Sequence, residues 1–258
     1  MTAEFVDITE IEGQPISQEQ LMRTCHRYYW AAQYCVGKDV LEVACGAGQG
    51  LGLLKPRARS IVAGDISPEV LETAKRTYGD SIPLEIFGAE DLPFPAKSID
   101  VILMFEALYY VRDTTEFFAE ARRVLRPGGE LLIVTANKDL YDFTPSPYSK
   151  RYLGVCELRQ ELSASGFESD FWGLIDTRTV SVRQRILRPV KGIVTKFGLM
   201  PKTMSGKTWM KKLFFGKMAV MPADIIDAPF DYQEPTPIPA TFADTIHKVI
   251  YCNASLRR

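Results

Sequence analysis

The stretch "VLEVACGAGQG", Val40–Gly50, constrains this chain more than any other. An apolar run that reads as a buried strand ends in three glycines at alternate positions, Gly46, Gly48 and Gly50. Backbone stripped of side chains in this way approaches something closely, at the point where a strand hands over to a helix. Such a loop belongs to an open α/β sheet, whose ligands sit outside the carboxyl ends of the strands.

Strand-like and helix-like segments alternate as that sheet requires. "DVLEVA" (39–44), "SIVAGD" (60–65), "PLEIF" (83–87), "IDVILMFEAL" (99–108) and "ELLIVTA" (130–136) read as five successive strands. A helix is expected near 49–55. Another covers "SPEVLETAKRTY" (67–78), with Ser67 as N-cap and Pro68 in its first position. "TEFFAEARRVL" (115–125) has helical periodicity, and "RPGG" (126–129) is expected to stop it before the fifth strand. A helix at "CELRQELSASGF" ends at Gly166, and "ESDFWGLI" and "HKVIYCNA" (247–254) supply the last two strands.

Three ligands compete for the glycines. A triphosphate loop needs GxxxxGK[ST], and no lysine follows. A dinucleotide fingerprint needs GxGxxG, and Leu51 stands where its third glycine belongs. The remaining pattern is GxGxG preceded by an acid in the strand, here Glu42. A carboxylate there repels a pyrophosphate and suits a ligand bearing ammonium or sulfonium charge. Hydrogen bonding to the loop backbone is its plainer alternative role.

With these residues in view, "VLEVACGAGQG" resembles motif I of the class I S-adenosylmethionine-dependent methyltransferases. "VAGDISPEVLETAK" resembles the following motif. "GAEDLPFPAKSIDVILMFEALYYV" and "EARRVLRPGGELLIV" are similar to later motifs of the branch that includes ubiquinone/menaquinone-biosynthesis and sterol methyltransferases. The resemblance covers roughly residues 38–136. It implies a Rossmann-like three-layer αβα sandwich, with a seven-stranded, mostly parallel sheet in the order 3-2-1-4-5-7-6 and an antiparallel last strand. It also implies S-adenosylmethionine as cofactor. Glu42 would orient the loop and the methionine ammonium, Gly46, Ala47 and Gly48 would line the methionine portion, and Asp65 would hold the ribose. Ile66 would pack on the adenine, Ala89 and Glu90 would meet its edge, and Met104 would offer backbone to the methionine moiety. Gly88 departs from the family, which often has Asp there. "CHRYYWAAQYCVGK" resembles the N-terminal cap of such enzymes, from which Arg27 would reach the cofactor carboxylate and Tyr28 would close over the site.

Methyl transfer is an in-line displacement helped by alignment and desolvation, and a hydroxyl or ammonium acceptor also calls for a base. The candidates are His26, Glu106, Tyr109 and Tyr110; His247, in the last strand, reads as structural. O-methylation of a small-molecule, sugar or lipid-linked intermediate is the expected reaction, with N- or C-methylation as alternatives. An NAD(P)-linked oxidoreductase and a non-catalytic cofactor-binding relative remain as competing classes.

The expected organisation is an N-terminal helical cap (1–37), a core (38–176 and 244–258) and a basic lid (177–243). Thr177–Val220 carries eleven basic residues and no acid, leaving 20 basic against 32 acidic residues elsewhere. Apolar groups, including Trp209, Phe214 and Phe215, interleave them. The span fits a solvated helical lid, an anionic or lipid-linked acceptor, or peripheral membrane contact through 177–220. A formal net charge of −1 and the lack of a recognisable module argue against nucleic acid as partner. Two histidines and five cysteines without CxxC spacing predict no metal site and buried reduced thiols. No apolar run reaches about 18 residues, and the N-terminus lacks a signal-peptide pattern, so a cytoplasmic location is expected.

Overall fold

A computed structural model describes residues 9–178, 218–226 and 228–256. In chain order the strands are β1 (Pro15–Ser17), β2 (Asp39–Val43), β3 (Ser60–Asp65), β4 (Leu84–Ile86), β5 (Ile99–Phe105), β6 (Leu125–Ala136), β7 (Phe167–Asp176), β8 (Met218–Val220), β9 (Thr236–Pro237) and β10 (His247–Leu256). The α-helices are α1 (Gln18–Tyr34), α2 (Leu51–Leu54), α3 (Pro68–Tyr78), α4 (Thr114–Val124) and α5 (Val155–Ala164).

Helix starts follow from their capping residues. Ser17 accepts from the Gln20 amide, Ser67 from Val70, and Asp113 from Thr115 and Glu116. Gly166, with φ of 88°, takes the left-handed turn after α5.

The main sheet runs β4-β3-β2-β5-β6-β10-β7-β9. Strands β4, β3, β2, β5 and β6 are mutually parallel, and β10 is antiparallel to both β6 and β7. The expected seven-strand order is therefore present, with the two-residue β9 added at one edge. A separate two-stranded sheet, β1 with β8, was not expected. It ties the N-terminal segment to the last three residues of the basic span.

Alternation along β2 explains the layers. Val40 packs in the cluster with α1 and α2, whereas Leu41 and Val43 pack with α4 and α5. By the same parity Glu42 faces α1, its aliphatic neighbours having filled the opposite face. Lys248 of β10 pairs with Glu19 at 2.6 Å, holding the start of α1 over the sheet.

Two local expectations need correction. The "RPGG" stretch does not precede the fifth strand but lies inside β6, where Leu125 pairs with Ile99 and the next partner of β5 is Glu130 opposite Val101. A bulge absorbs the extra residues, with Gly128 at φ of 77°. Of the thiols, Cys156 is exposed; Cys25, Cys35, Cys45 and Cys252 are buried, and all five are free.

The basic residues from Arg183 to Lys217, and Trp209, Phe214 and Phe215, lie outside the described residues. Arg178 is described and pairs with Asp176 at 2.6 Å. Among the described residues no helix is long and apolar enough to cross a membrane, and no group of His, Cys, Asp and Glu is arranged to hold a metal.

Candidate active site

The carboxyl ends of β2, β3 and β5 lie side by side, and Glu42, Asp65 and Met104 stand in or at the ends of these strands. Glu42 is the penultimate residue of β2 and only 1% exposed. The Tyr28 hydroxyl of α1 donates to its Oε1 at 2.5 Å, and its buried Oε2 has no hydrogen-bond partner among the described residues. Burial pushes this carboxyl up to about 7, against the opposing pull of Tyr28 and Arg27. Leaving a buried carboxylate oxygen unpaired costs free energy, so the arrangement suits a site awaiting a donor.

The chain then turns through Ala44, Gly46 and Gly48 at φ of 56°, 59° and 76°. Glycine adopts the left-handed conformation without steric cost; Ala44 is strained there. Ala47 is buried between the two glycines. Gly50 answers a different need, because a Cβ there would lie 2.2 Å from the Tyr28 ring. Tyr28 thus fits between the loop and Glu42 and meets Phe105 of β5 edge-on at 5.3 Å.

Asp65 ends β3. Its Oδ2 accepts from Gly46 N and its Oδ1 from Ser67 N, both at 2.9 Å. Burial raises its pKa while these amides pull it down. Ile66, next in the chain, is an exposed apolar side chain, at 46%. Gly88 and Ala89 are half-buried, and a Cβ on Gly88 would stand 3.8 Å from Ile66 Cδ1. Glu90 is already engaged: its Oε1 accepts from the Arg112 amide at 2.9 Å. Met104 is fully buried in β5, so its backbone alone is left for a ligand.

Beyond β5, Glu106 has φ of 51°, a second strained residue at an adjacent strand end. Its Oε1 lies 2.5 Å from Arg23 Nη2, and its Oε2 accepts from the Tyr109 hydroxyl at 3.2 Å. Tyr109 stacks on Tyr152 at 4.3 Å and meets Tyr110 edge-on at 4.6 Å. The Tyr110 hydroxyl lies 2.6 Å from Ser146 Oγ. Burial raises the pKa of both Tyr109 and Tyr110, so both phenols are hydrogen-bond donors rather than bases.

Arg27 is half-buried beside Tyr28, its guanidinium carbon 5.5 Å from that ring, with Nε buried and without a hydrogen-bond partner among the described residues. Burial opposes its charge, yet Tyr28, Glu10, Glu106 and Glu42 hold its pKa above the ordinary value. His26 is not brought to the other candidate bases. Its ring faces Tyr29 and Tyr232, and burial lowers its pKa. His247 is buried against Asp244, Nδ1 to Oδ2 at 3.0 Å.

Sequence reasoning missed Arg23, four residues before Arg27 and hence on the same helix face. It also missed Tyr78 and Asp224, which meet the glycine loop from distant parts of the chain.

Residues 41–133 match the family described as "Methyltransferase domain". A probable S-adenosylmethionine-dependent methyltransferase of Mycolicibacterium smegmatis is 32% identical over 145 residues, covering 55% of this chain and 56% of that protein. A ubiquinone/menaquinone biosynthesis C-methyltransferase of Hahella chejuensis is 30% identical over 141 residues, covering 52% of this chain and 57% of that one. The chain thus spans about half the length of these curated relatives. The crystal structure of the YcgJ protein from Bacillus subtilis superposes with a TM-score of 0.56 at 18% identity, covering 91% of this chain and 99% of that one. At that identity the likeness shows the fold.

Proposed function

We propose that the chain is a class I S-adenosylmethionine-dependent methyltransferase that binds S-adenosylmethionine and methylates a small-molecule acceptor, a reading supported by the methyltransferase-domain match over residues 41–133 and by the relatives. The observation that carries this reading is Glu42, buried at the mouth of the glycine loop with one carboxylate oxygen unpaired among the described residues. A cationic ammonium satisfies that oxygen; a pyrophosphate is repelled by it. Asp65 retains acceptor capacity on both oxygens for ribose hydroxyls, and Ile66 offers apolar cover for adenine. Arg27 would meet the cofactor carboxylate, Gly46, Ala47 and Gly48 would line the methionine portion, and Ala89 would border the adenine. When bound, the cofactor supplies a methyl group on a positively charged sulfur.

The acceptor would lie past β5, against Glu106 and the aromatic group of Tyr109, Tyr110 and Tyr152. Glu106, fixed by Arg23 and Tyr109, is the acceptor-facing carboxylate that would orient a hydroxyl or take its proton. The phenols of Tyr110 and Tyr152 would offer hydrogen bonds to the acceptor's oxygens, the Tyr109 proton being held by Glu106. His26 has no part in this reading, because its neighbours are Tyr29 and Tyr232. Oxygen is the acceptor atom in our first reading. Methylation at carbon is the second, supported by the name of the Hahella chejuensis relative and by tyrosines that are donors rather than bases.

Calorimetry with S-adenosylmethionine, S-adenosylhomocysteine and NADH tests the cofactor. Binding of the first two and not the third is expected; the reverse would overturn the assignment. Mass spectrometry of hydroxylated aromatic and quinol acceptors, incubated with methyl-labelled cofactor, then separates oxygen from carbon as the site of transfer.

A further inference from the structure

The glycine loop is gripped by Tyr78, within the matched residues 41–133, and by Asp224, which lies outside them. Tyr78, the last residue of α3, places its hydroxyl oxygen 2.7 Å from the Gly48 carbonyl oxygen and 2.7 Å from Asp224 Oδ2. The Gly52 amide donates to that same hydroxyl at 3.3 Å. Asp224 follows β8, and its Oδ1 accepts from the Ile226 amide at 3.0 Å. Between these two residues the Ile225 amide donates to the Gln49 carbonyl at 2.9 Å. Residues 48, 49 and 52 are therefore all held from residues 224–225 or through Tyr78.

Packing matches the hydrogen bonds. A Cβ at Gly52 would stand 1.9 Å from Asp224 Oδ2, and one at Gly48 would stand 3.1 Å from Tyr78 Cε2. Gly52 is thus small to admit the Asp224 carboxylate. The segment bearing Asp224 is itself anchored, since Met221 and the N-terminal segment exchange two backbone bonds, Gly13 N to Met221 O and Met221 N to Gln14 O, each at 2.9 Å. Burial raises the Tyr78 pKa, so the phenol keeps the proton that it shares between the carbonyl and the carboxylate.

We propose that Tyr78 and Asp224 are positioning residues for cofactor binding: together they clasp the backbone of residues 48–52 and hold the left-handed turn at Gly46 and Gly48 ready for the ligand. This rests on the proposed S-adenosylmethionine reading for the identity of the ligand. The physical basis is preorganisation. A glycine-rich turn has many conformations to lose when it binds, and a clasp that removes them beforehand raises affinity without touching the ligand.

The test has two independent parts. Hydrogen exchange on the ligand-free protein, with no cofactor involved, compares the wild type with Tyr78→Phe. Faster exchange at the amides of residues 46–52 is expected, and unchanged protection there overturns the clasp. Calorimetry with S-adenosylhomocysteine then reads its consequence. Tyr78→Phe and Asp224→Ala should each weaken binding about two- to tenfold, the range of one hydrogen bond. Their double variant should lose little more than the worse single one. Asp224→Asn keeps an oxygen acceptor and should recover most of the affinity. Gly52→Ala should weaken binding in the wild type and add little in the Asp224→Ala background, where its obstacle is gone. Affinity unchanged in both single variants, or fully additive losses, would overturn the proposal. A wild type that binds no S-adenosylhomocysteine would sink the cofactor reading instead, while the exchange experiment still decides the clasp.

Discussion

The two sides of the site differ in how their polar atoms are satisfied. On the glycine-loop side, Glu42 Oε2 and Arg27 Nε are buried and without a partner among the described residues, and Ile66 is 46% exposed. On the side beyond β5, both oxygens of Glu106 are engaged, by Arg23 and Tyr109, while Tyr110 is engaged with Ser146. Incomplete satisfaction in a well-packed region marks a surface shaped for a ligand of fixed chemistry. The first side is therefore readable from its own residues, and the second yields only a class of acceptor.

Substitutions test that contrast, and the largest effect is expected at Gly50. Gly50→Ala drives a methyl group into the Tyr28 ring, a contact of 2.2 Å before relaxation. Overpacking of this kind costs about 3 kcal/mol, read as a lower midpoint in urea unfolding with the cofactor affinity reduced as well. Asp65→Ala comes next. It removes the acceptor of Gly46 N and Ser67 N, and S-adenosylmethionine binding should weaken by about 1–3 kcal/mol in calorimetry. Unchanged affinity would exclude the ribose role.

Glu106→Gln should behave in the opposite sense to Asp65→Ala. Cofactor affinity is expected to hold while the rate of methyl transfer falls by about tenfold, or about 1.4 kcal/mol in the transition state. Equal losses in both would merge the two sides of the site.

Glu42 gives a smaller effect, tied to pH. Its carboxyl is raised to about 7 by burial, so the stability it contributes is fully present below the ordinary glutamate range and is lost as pH rises through about 7. Binding a cation has the reverse dependence, because the ligand needs the ionised form. S-Adenosylmethionine affinity should climb between pH 6 and pH 7.5, by less than tenfold per pH unit, and stop rising where the ligand's own ammonium loses its proton, at about pH 7.7–8.0 for an ordinary α-amino group. Glu42→Gln should flatten that profile and raise the unfolding free energy at pH 8 by about 1 kcal/mol, since a neutral amide replaces a buried charge. A wild-type profile without slope would remove Glu42 from the ligand's contacts.

Much of the fold was legible because it rests on local rules. The limits of α3 follow from Ser67 and Pro68, and β3 follows from an apolar run bounded by polar and turn residues. The strand order was expected through resemblance, and the sheet has it. The "RPGG" segment misled because proline and glycine usually end an element, yet a bulge let β6 continue through them. The β1–β8 pair was invisible for a related reason: three-residue strands have too little periodicity, and their partners are some 200 residues apart.

The sequence by itself determined the parallel sheet, the glycine turn, and the acids at positions 42 and 65 that lie beside it. Spacing along a strand and the conformational needs of glycine act over a few residues, so they are written locally. Only the tertiary structure decided who surrounds those residues. It placed Tyr28 against Glu42 and Gly50, Arg23 against Glu106, and the Tyr78–Asp224 clasp on the loop, while turning His26 toward Tyr232. Such contacts depend on how helices and distant segments pack on the finished sheet, and sequence spacing carries no measure of that.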